Sequence, residues 1–162
     1  MPIINPAPGT ANQIVLKVEL AGTSGWTTAL TIPALQDITV NAANDVFTWS
    51  QLDSSAKLQI ATTSTNSLAM NIVLDDATFF GSSLSAAISD TVAAQGIAGL
   101  SRNKTRIKFS LKMLENGSTD RYLSGTGYIT GLAPKISADQ PVWVSPITIT
   151  VSGEYATSAT ES

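Results

Sequence analysis

Hydrophobic and polar positions alternate along much of the chain, the period-two signature of strands buried on one face. The segment "QIVLKVEL" sets Ile14, Leu16, Val18 and Leu20 against Val15, Lys17 and Glu19. "LAMNIVLDD" turns Leu68, Met70, Ile72 and Leu74 inward, and Ile107, Phe109, Leu111 and Met113 do the same within a long strand predicted from Lys104 to Glu115. That strand meets the hairpin signal "ENGS", and its return strand runs from Arg121 to about Leu132. A closing strand, "VSPITITVSGEY" from Val144 to Tyr155, points Ile147, Ile149 and Val151 one way and carries Ser145, Thr148, Thr150 and Ser152 as its polar set. Weaker strands are predicted over Trp26 to Ile32, and in "VFTWSQLD" and "KLQIATTS" around an Asp-Ser-Ser turn.

One stretch reads as helix. Between Ser82 and Leu100, residues Leu84, Ile88 and Val92 recur every four positions, Ser82 or Ser83 offers an N-cap, and Gly96 and Gly99 break the end. Pro33 to Asn44 reads as loop with strand fragments. The Pro-rich start, Met1 to Gly9, reads as an arm, and residues 157–162 as a flexible tail after a single domain over residues 1–156. The fold class is mainly β: a sandwich or partial barrel of about seven strands with one flanking α-helix.

Composition sharpens the picture. Of 162 residues, 43% are hydrophobic and only 13% charged, against about 25% in ordinary domains. Polarity comes instead from 39 serines and threonines. Hydroxyls suit a surface that ends against other protein, because they are satisfied without the desolvation cost of a charge. The chain has no cysteine and no histidine, which removes disulfides, thiolate chemistry, Cys or His metal sites and every His-dependent triad. No run approaches the ~20 apolar residues of a membrane span, and the start lacks a signal-peptide pattern, so assembly in a cytoplasm, with no membrane partner, is expected.

No catalytic cluster can be assembled. Asp75 and Asp76 are adjacent on a predicted strand, so their carboxylates diverge. The chain reads as a non-enzyme without cofactor or metal. Arg102, Lys104, Arg106, Lys108 and Lys112 alternate along the predicted long strand, but no aromatic is interleaved for base stacking, so this face is assigned to a subunit contact or the exterior. Trp143 stands between Pro141 and Pro146, which places Val142, Trp143, Val144 and Pro146 at a sheet edge or bulge open to pairing with another chain.

The second half, "AAQGIAGLSRNKTRIKFSLKM" followed by "RYLSGTGYITGLAPKISADQPVWVSPITITVSGEY", resembles the tail tube (major tail) proteins of long-tailed bacteriophages over about Ala77 to Ala156. The resemblance implies a structural virion protein, six copies of which form a ring. Rings would stack into a hollow tube that first holds the tape-measure protein, joins tail terminator and baseplate proteins, and later passes double-stranded DNA. It also implies that an early loop, spanning Ile38, Asp45, Asp53 and Lys57, bridges stacked rings and is mobile in the free subunit. Related readings are a tail terminator, tube initiator or capsid-decorating protein; a carbohydrate-binding sandwich is the alternative of another class.

Overall fold

The computed structural model describes residues 14–32, 35–52, 56–114 and 120–161. Nine strands and two helices follow in the order β1 (Val15–Leu20), β2 (Leu30–Ile32), β3 (Leu35–Ser50), β4 (Lys57–Val73), α1 (Asp76–Phe80), α2 (Val92–Arg102), β5 (Ile107–Leu114), β6 (Arg121–Leu132), β7 (Lys135–Ser137), β8 (Gln140–Val151) and β9 (Ala156–Ser158). They form one antiparallel sheet, ordered β2-β1-β5-β6-β8-β4-β3, with β7 added to β8 and β9 to β6. The chain is mainly β as expected, and the sheet is not closed into a barrel.

The predicted alternation explains which face is buried. In the register, Leu16 lies opposite Leu111 and Val18 opposite Phe109; further along the sheet, Leu68 lies opposite Ile149 and Met70 opposite Ile147. Opposite residues of an antiparallel pair share a face. These side chains, with Ile72 and Ile107, therefore belong to one buried apolar cluster, which α2 joins with Val92, Ile97 and Leu100 from over β6, β1 and β2. Ser145 belongs to this face and not to the polar set, because it has the parity of Ile147. It is fully buried, and its hydroxyl accepts from Ala133 N at 3.1 Å and donates to Pro146 O at 2.8 Å.

The helical region departs from expectation. Residues 82–91 are turns, with Leu84 and Ile88 exposed, and the flanking helices are separate. Here Ser and Asp compete for the backbone: the Asp90 carboxylate accepts from Ala87 N at 2.7 Å, and Thr91 caps α2 by accepting from Ala94 N. The fully buried Gln95 fastens this loop, donating to Ile88 O and Asp90 O while accepting from Asn103 Nδ2 and Thr105 Oγ1. The helix does break at Gly96, with φ 65° and ψ 176°.

The tail was expected to be flexible from residue 157. Instead β9 pairs with β6, and Glu161 meets Lys17 at 3.0 Å. Tyr155, in the turn before β9, packs edge-on against Phe109 and places its hydroxyl 2.9 Å from Asn41 O and 2.8 Å from Ser67 O. Burial raises its pKa above the ordinary value of 10.0, partly offset by the bond to Ser67. The fold thus favours the protonated phenol. Stability from this group is complete below the unfolded pKa and is lost as pH rises through the higher folded one. Tyr155→Phe should cost about 1–2 kcal/mol at neutral pH through the two carbonyls it leaves, and the gap to the parent should narrow above pH ~10. Urea unfolding of both proteins across pH 7–11 checks this; a gap that widens with pH would contradict it.

Candidate assembly surfaces

Most of the second face of the sheet is built from small polar side chains. Thr126, Tyr128, Thr130, Thr148 and Thr150 cross β6 and β8, followed by Ser67 and Asn71 on β4 and Asn41 and Asp37 on β3. They bond among themselves: Thr130 and Thr150 hydroxyls lie 2.7 Å apart, and Asn71 Nδ2 donates to Asp37 at 2.9–3.0 Å. Among the described residues no group of three or more acidic, His or Cys side chains has metal-holding geometry.

The sheet also extends an arm. β4 is bonded to β8 only from Asn66 to Val73; from Lys57 to Thr65 its strand partner is β3 alone. A two-stranded ribbon by itself is marginal in water. This one carries apolar side chains that stay exposed or half-exposed among the described residues. Phe47 lies opposite Ile60 and Trp49 opposite Leu58, so all four occupy one facet, where the Phe47 and Trp49 rings stack at 5.9 Å. Phe47 is 59% exposed and Ile60 56%.

At the other end of β4 lies an apolar cleft of about 390 Å³. Leu74, Phe79, Phe80, Pro134 and Trp143 line it together with the exposed Asp75 and Asp76. Its walls are fixed from several elements. Leu74 N donates to Trp143 O at 2.9 Å, Asp75 caps α1 by accepting from Thr78 N at 2.7 Å, and the Phe79 and Phe80 rings meet edge-to-face at 5.0 Å. Phe80 and Trp143 nevertheless remain about half exposed.

The residues singled out from sequence fall differently. Val142 and Trp143 are exposed, but Val144 pairs with Val73 on one side and Lys135 on the other, and Pro146 with Asn71. The segment is therefore not an open edge; the short β7 hairpin supplies the missing neighbour, and the irregularity sits in β6 between Ile129 and Gly131. The supposed loop from Ile38 to Lys57 is instead largely strand. Ile38 packs on the core, Lys57 opens β4 opposite Ser50, and Asp45 lies where the register shifts, its carboxylate accepting from Thr63 Oγ1 at 3.1 Å. Asp53 lies outside the described residues.

The basic stripe does not share one strand face. Arg102 ends α2 and donates to Leu84 O; Lys104 occupies a turn at φ 53°; Arg106 precedes β5 and donates to Thr126 Oγ1. Only Lys108 and Lys112 lie on β5. Lys108 is enclosed by its own chain, donating to Thr23 O and Gly25 O at 2.7 Å each beneath the Trp26 ring, and Lys112 approaches Asp120 at 3.9 Å.

No protein-family model matches the chain, and no curated protein matches it in sequence. Solved structures do match. A chain from the tail of an empty gene transfer agent particle of C6 symmetry aligns with TM-score 0.64 at 14% identity, covering 93% of this chain and 98% of that one. A chain of the six-fold baseplate of the anti-feeding prophage gives 0.62 at 10% identity, covering 94% and 96%. A chain of the SPP1 tail tube gives 0.60 at 12%, covering 91% and 78%. The similarity to tail tube proteins that sequence carried over the second half is thus a similarity of fold over nearly the whole chain.

Proposed function

We propose that this chain is a structural, non-enzymatic subunit of a phage-type tail tube, self-assembling into rings, six copies each, that stack around a channel. The observation that carries this reading is the arm: a two-stranded ribbon with an uncovered aromatic facet, on a fold shared with chains of C6-symmetric tails. Such a ribbon gains most of its stability when a second surface covers it. Its partners would be further copies of itself, tape-measure, terminator and baseplate proteins, and double-stranded DNA in transit, and its place would be the virion after assembly in the host cytoplasm.

The chemistry of the surface supports passage of a polyanion. DNA is retarded by cations, since each phosphate contact must be broken as the helix advances. Lys108 is withheld by its own loop, and the hydroxyl face over β6 and β8 presents mostly neutral groups, with the exposed Lys104 beside Tyr128 and Thr130 at its edge. We assign that face to the channel or to a ring contact, and Arg106 to its margin. A tube-initiating subunit is the second reading, favoured by the likeness to a baseplate chain. Negative-stain microscopy of the concentrated protein tests both: stacked tubes are expected, single rings would favour the initiator, and a strict monomer up to millimolar concentration would overturn the proposal.

A further inference from the structure

We infer that the turn from Ser152 to Tyr155 is a clamp that aims the arm, with Tyr155 and Asn66 as its positioning residues. The clamp acts within one subunit, whatever surface the arm later meets. A ribbon that leaves a sheet on two strands is free to twist and swing about its root. Here the root lies where β4 loses β8, at the pair Asn66 and Val151. Past that pair the chain of β8 bulges and resumes as β9. Val151 pairs with Gly127 and Ala156 with Ser124, so five steps along this line match three along β6. The two extra residues lift the turn out of the ladder, and the turn meets the arm through side chains and a carbonyl instead.

Three polar contacts converge on the root. The buried Asn66 donates Nδ2 to Gly153 O at 2.7 Å. The single hydroxyl hydrogen of Tyr155 is shared between Asn41 O at 2.9 Å and Ser67 O at 2.8 Å. Asn41 and Ser67 stand opposite each other in the register, one on each strand of the ribbon. One phenol therefore ties both strands at the same level, which fixes the roll of the ribbon as well as its tilt. The phenol is anchored in turn. Its ring packs edge-on against the fully buried Phe109, and the turn is held by Ser152 N to Thr126 O at 2.7 Å and by the pairing of β9 with β6. The direction of the arm is thus set from the core rather than by the ribbon's own bonds. An aimed arm loses less freedom on meeting a partner than a swinging one, so the clamp favours association without touching the partner. Such an arm differs from the mobile loop that the family resemblance implies.

The chain has no cysteine, so a pair of spin labels can be placed cleanly. Ile60→Cys reports the arm and Ile136→Cys, on β7, the body; both positions are exposed. Pulsed electron paramagnetic resonance then gives the distance distribution between them. The labelled chain is diluted in excess unlabelled chain, below the concentration at which it associates. The parent should show one narrow distribution. Tyr155→Phe, which removes only the hydroxyl, should broaden it, and Asn66→Ala should do the same from the other side of the root. Amide exchange over Asn41 to Asn44 and Ser64 to Ser67 should quicken about five- to tenfold in Tyr155→Phe, the effect of about one lost hydrogen bond. Ile107→Val, in the core on β5, is the control for stability: it should lower the melting temperature and leave the distribution unchanged. Circular dichroism melts establish that each variant folds, and if Asn66→Ala does not, Tyr155→Phe alone decides. A parent distribution that is already broad overturns the clamp, as does a Tyr155→Phe distribution as narrow as the parent's. Equal broadening by Ile107→Val would reduce Tyr155 to a general contribution to stability and overturn its positioning role.

Discussion

Replacing Phe47 and Trp49 together by serine should abolish tube formation while leaving a folded, soluble subunit. The two rings stack on the arm, Phe47 exposed and Trp49 half-buried among the described residues, so their removal takes little from the monomer fold. In an assembly they would be buried, and each large apolar side chain so buried contributes about 2 kcal/mol. Two of them amount to about 4 kcal/mol per contact, or roughly a thousand-fold in the association constant. In the proposed stacked ring every copy would make this contact, so a loss of that size would be multiplied around the ring. The concentration at which tubes appear should rise beyond what can be reached in solution. Sedimentation and microscopy decide it, with thermal unfolding as the control. Tubes of normal length from the double variant would remove the arm from the assembly.

How far the sequence alone leads differs between core and surface. The strands of the core were readable because one face of each is apolar and the other is not: β6 has the bounds expected, and β1 lies within "QIVLKVEL". Periodicity failed where a second physical signal competed. From Ser82 to Asp90 the four-residue recurrence of Leu84 and Ile88 suggested a helix, but Ser and Asp took the backbone bonds and the two leucine-sized side chains point to solvent. Through Asn41 to Asp45 the strand β3 was missed because Asn, Ala and Asp disfavour strands; cross-strand bonding to Ser67 through Ser64 overrides that preference. The alternating cations misled for a related reason, since the strand begins only at Ile107 and Arg102 is helical.

The candidate site was half visible. The segment bounded by Ile38 and Lys57 was marked for assembly, yet the residues that make it adhesive, Phe47, Trp49, Leu58 and Ile60, were read only as strand. A usable signal was present: apolar residues alternate on both sides of the Asp-Ser-Ser turn, so the hairpin they form must have an apolar facet. What alternation could not reveal is that, among the described residues, no third strand covers it, because that depends on where β8 stops pairing with β4. The cleft was beyond reach of the sequence for a similar reason. It joins Leu74, Phe79, Pro134 and Trp143, which no local pattern relates.

Gly96→Ala should be among the most damaging single substitutions in the chain. Gly96 holds φ 65° and ψ 176°, a conformation close to glycine-only, at the kink within α2. A methyl there would overlap the backbone of Phe79 to Gly81, and one on Gly81 would overlap Ala94 to Gly96 in return. The two segments are also tied by Ser82 N to Ala93 O and Ser83 N to Ala94 O, both 3.1 Å. Neither backbone can retreat without breaking those bonds and moving Phe79 and Phe80, which wall the cleft. The conformational cost alone is about 1–3 kcal/mol, and the steric overlap raises the total to roughly 3–5 kcal/mol, in the range reserved for strained backbone sites. At about 2–4 °C per kcal/mol for a chain of this size, the melting temperature should fall by about 10 °C or more. Gly25→Ala separates the two causes, since Gly25 has φ 71° but open space where a methyl would go. It should lose only the conformational part, about 1–2 kcal/mol. Equal melting shifts for the two variants would mean that α1 and α2 do not meet backbone to backbone, and that the cleft wall rests on side-chain packing alone.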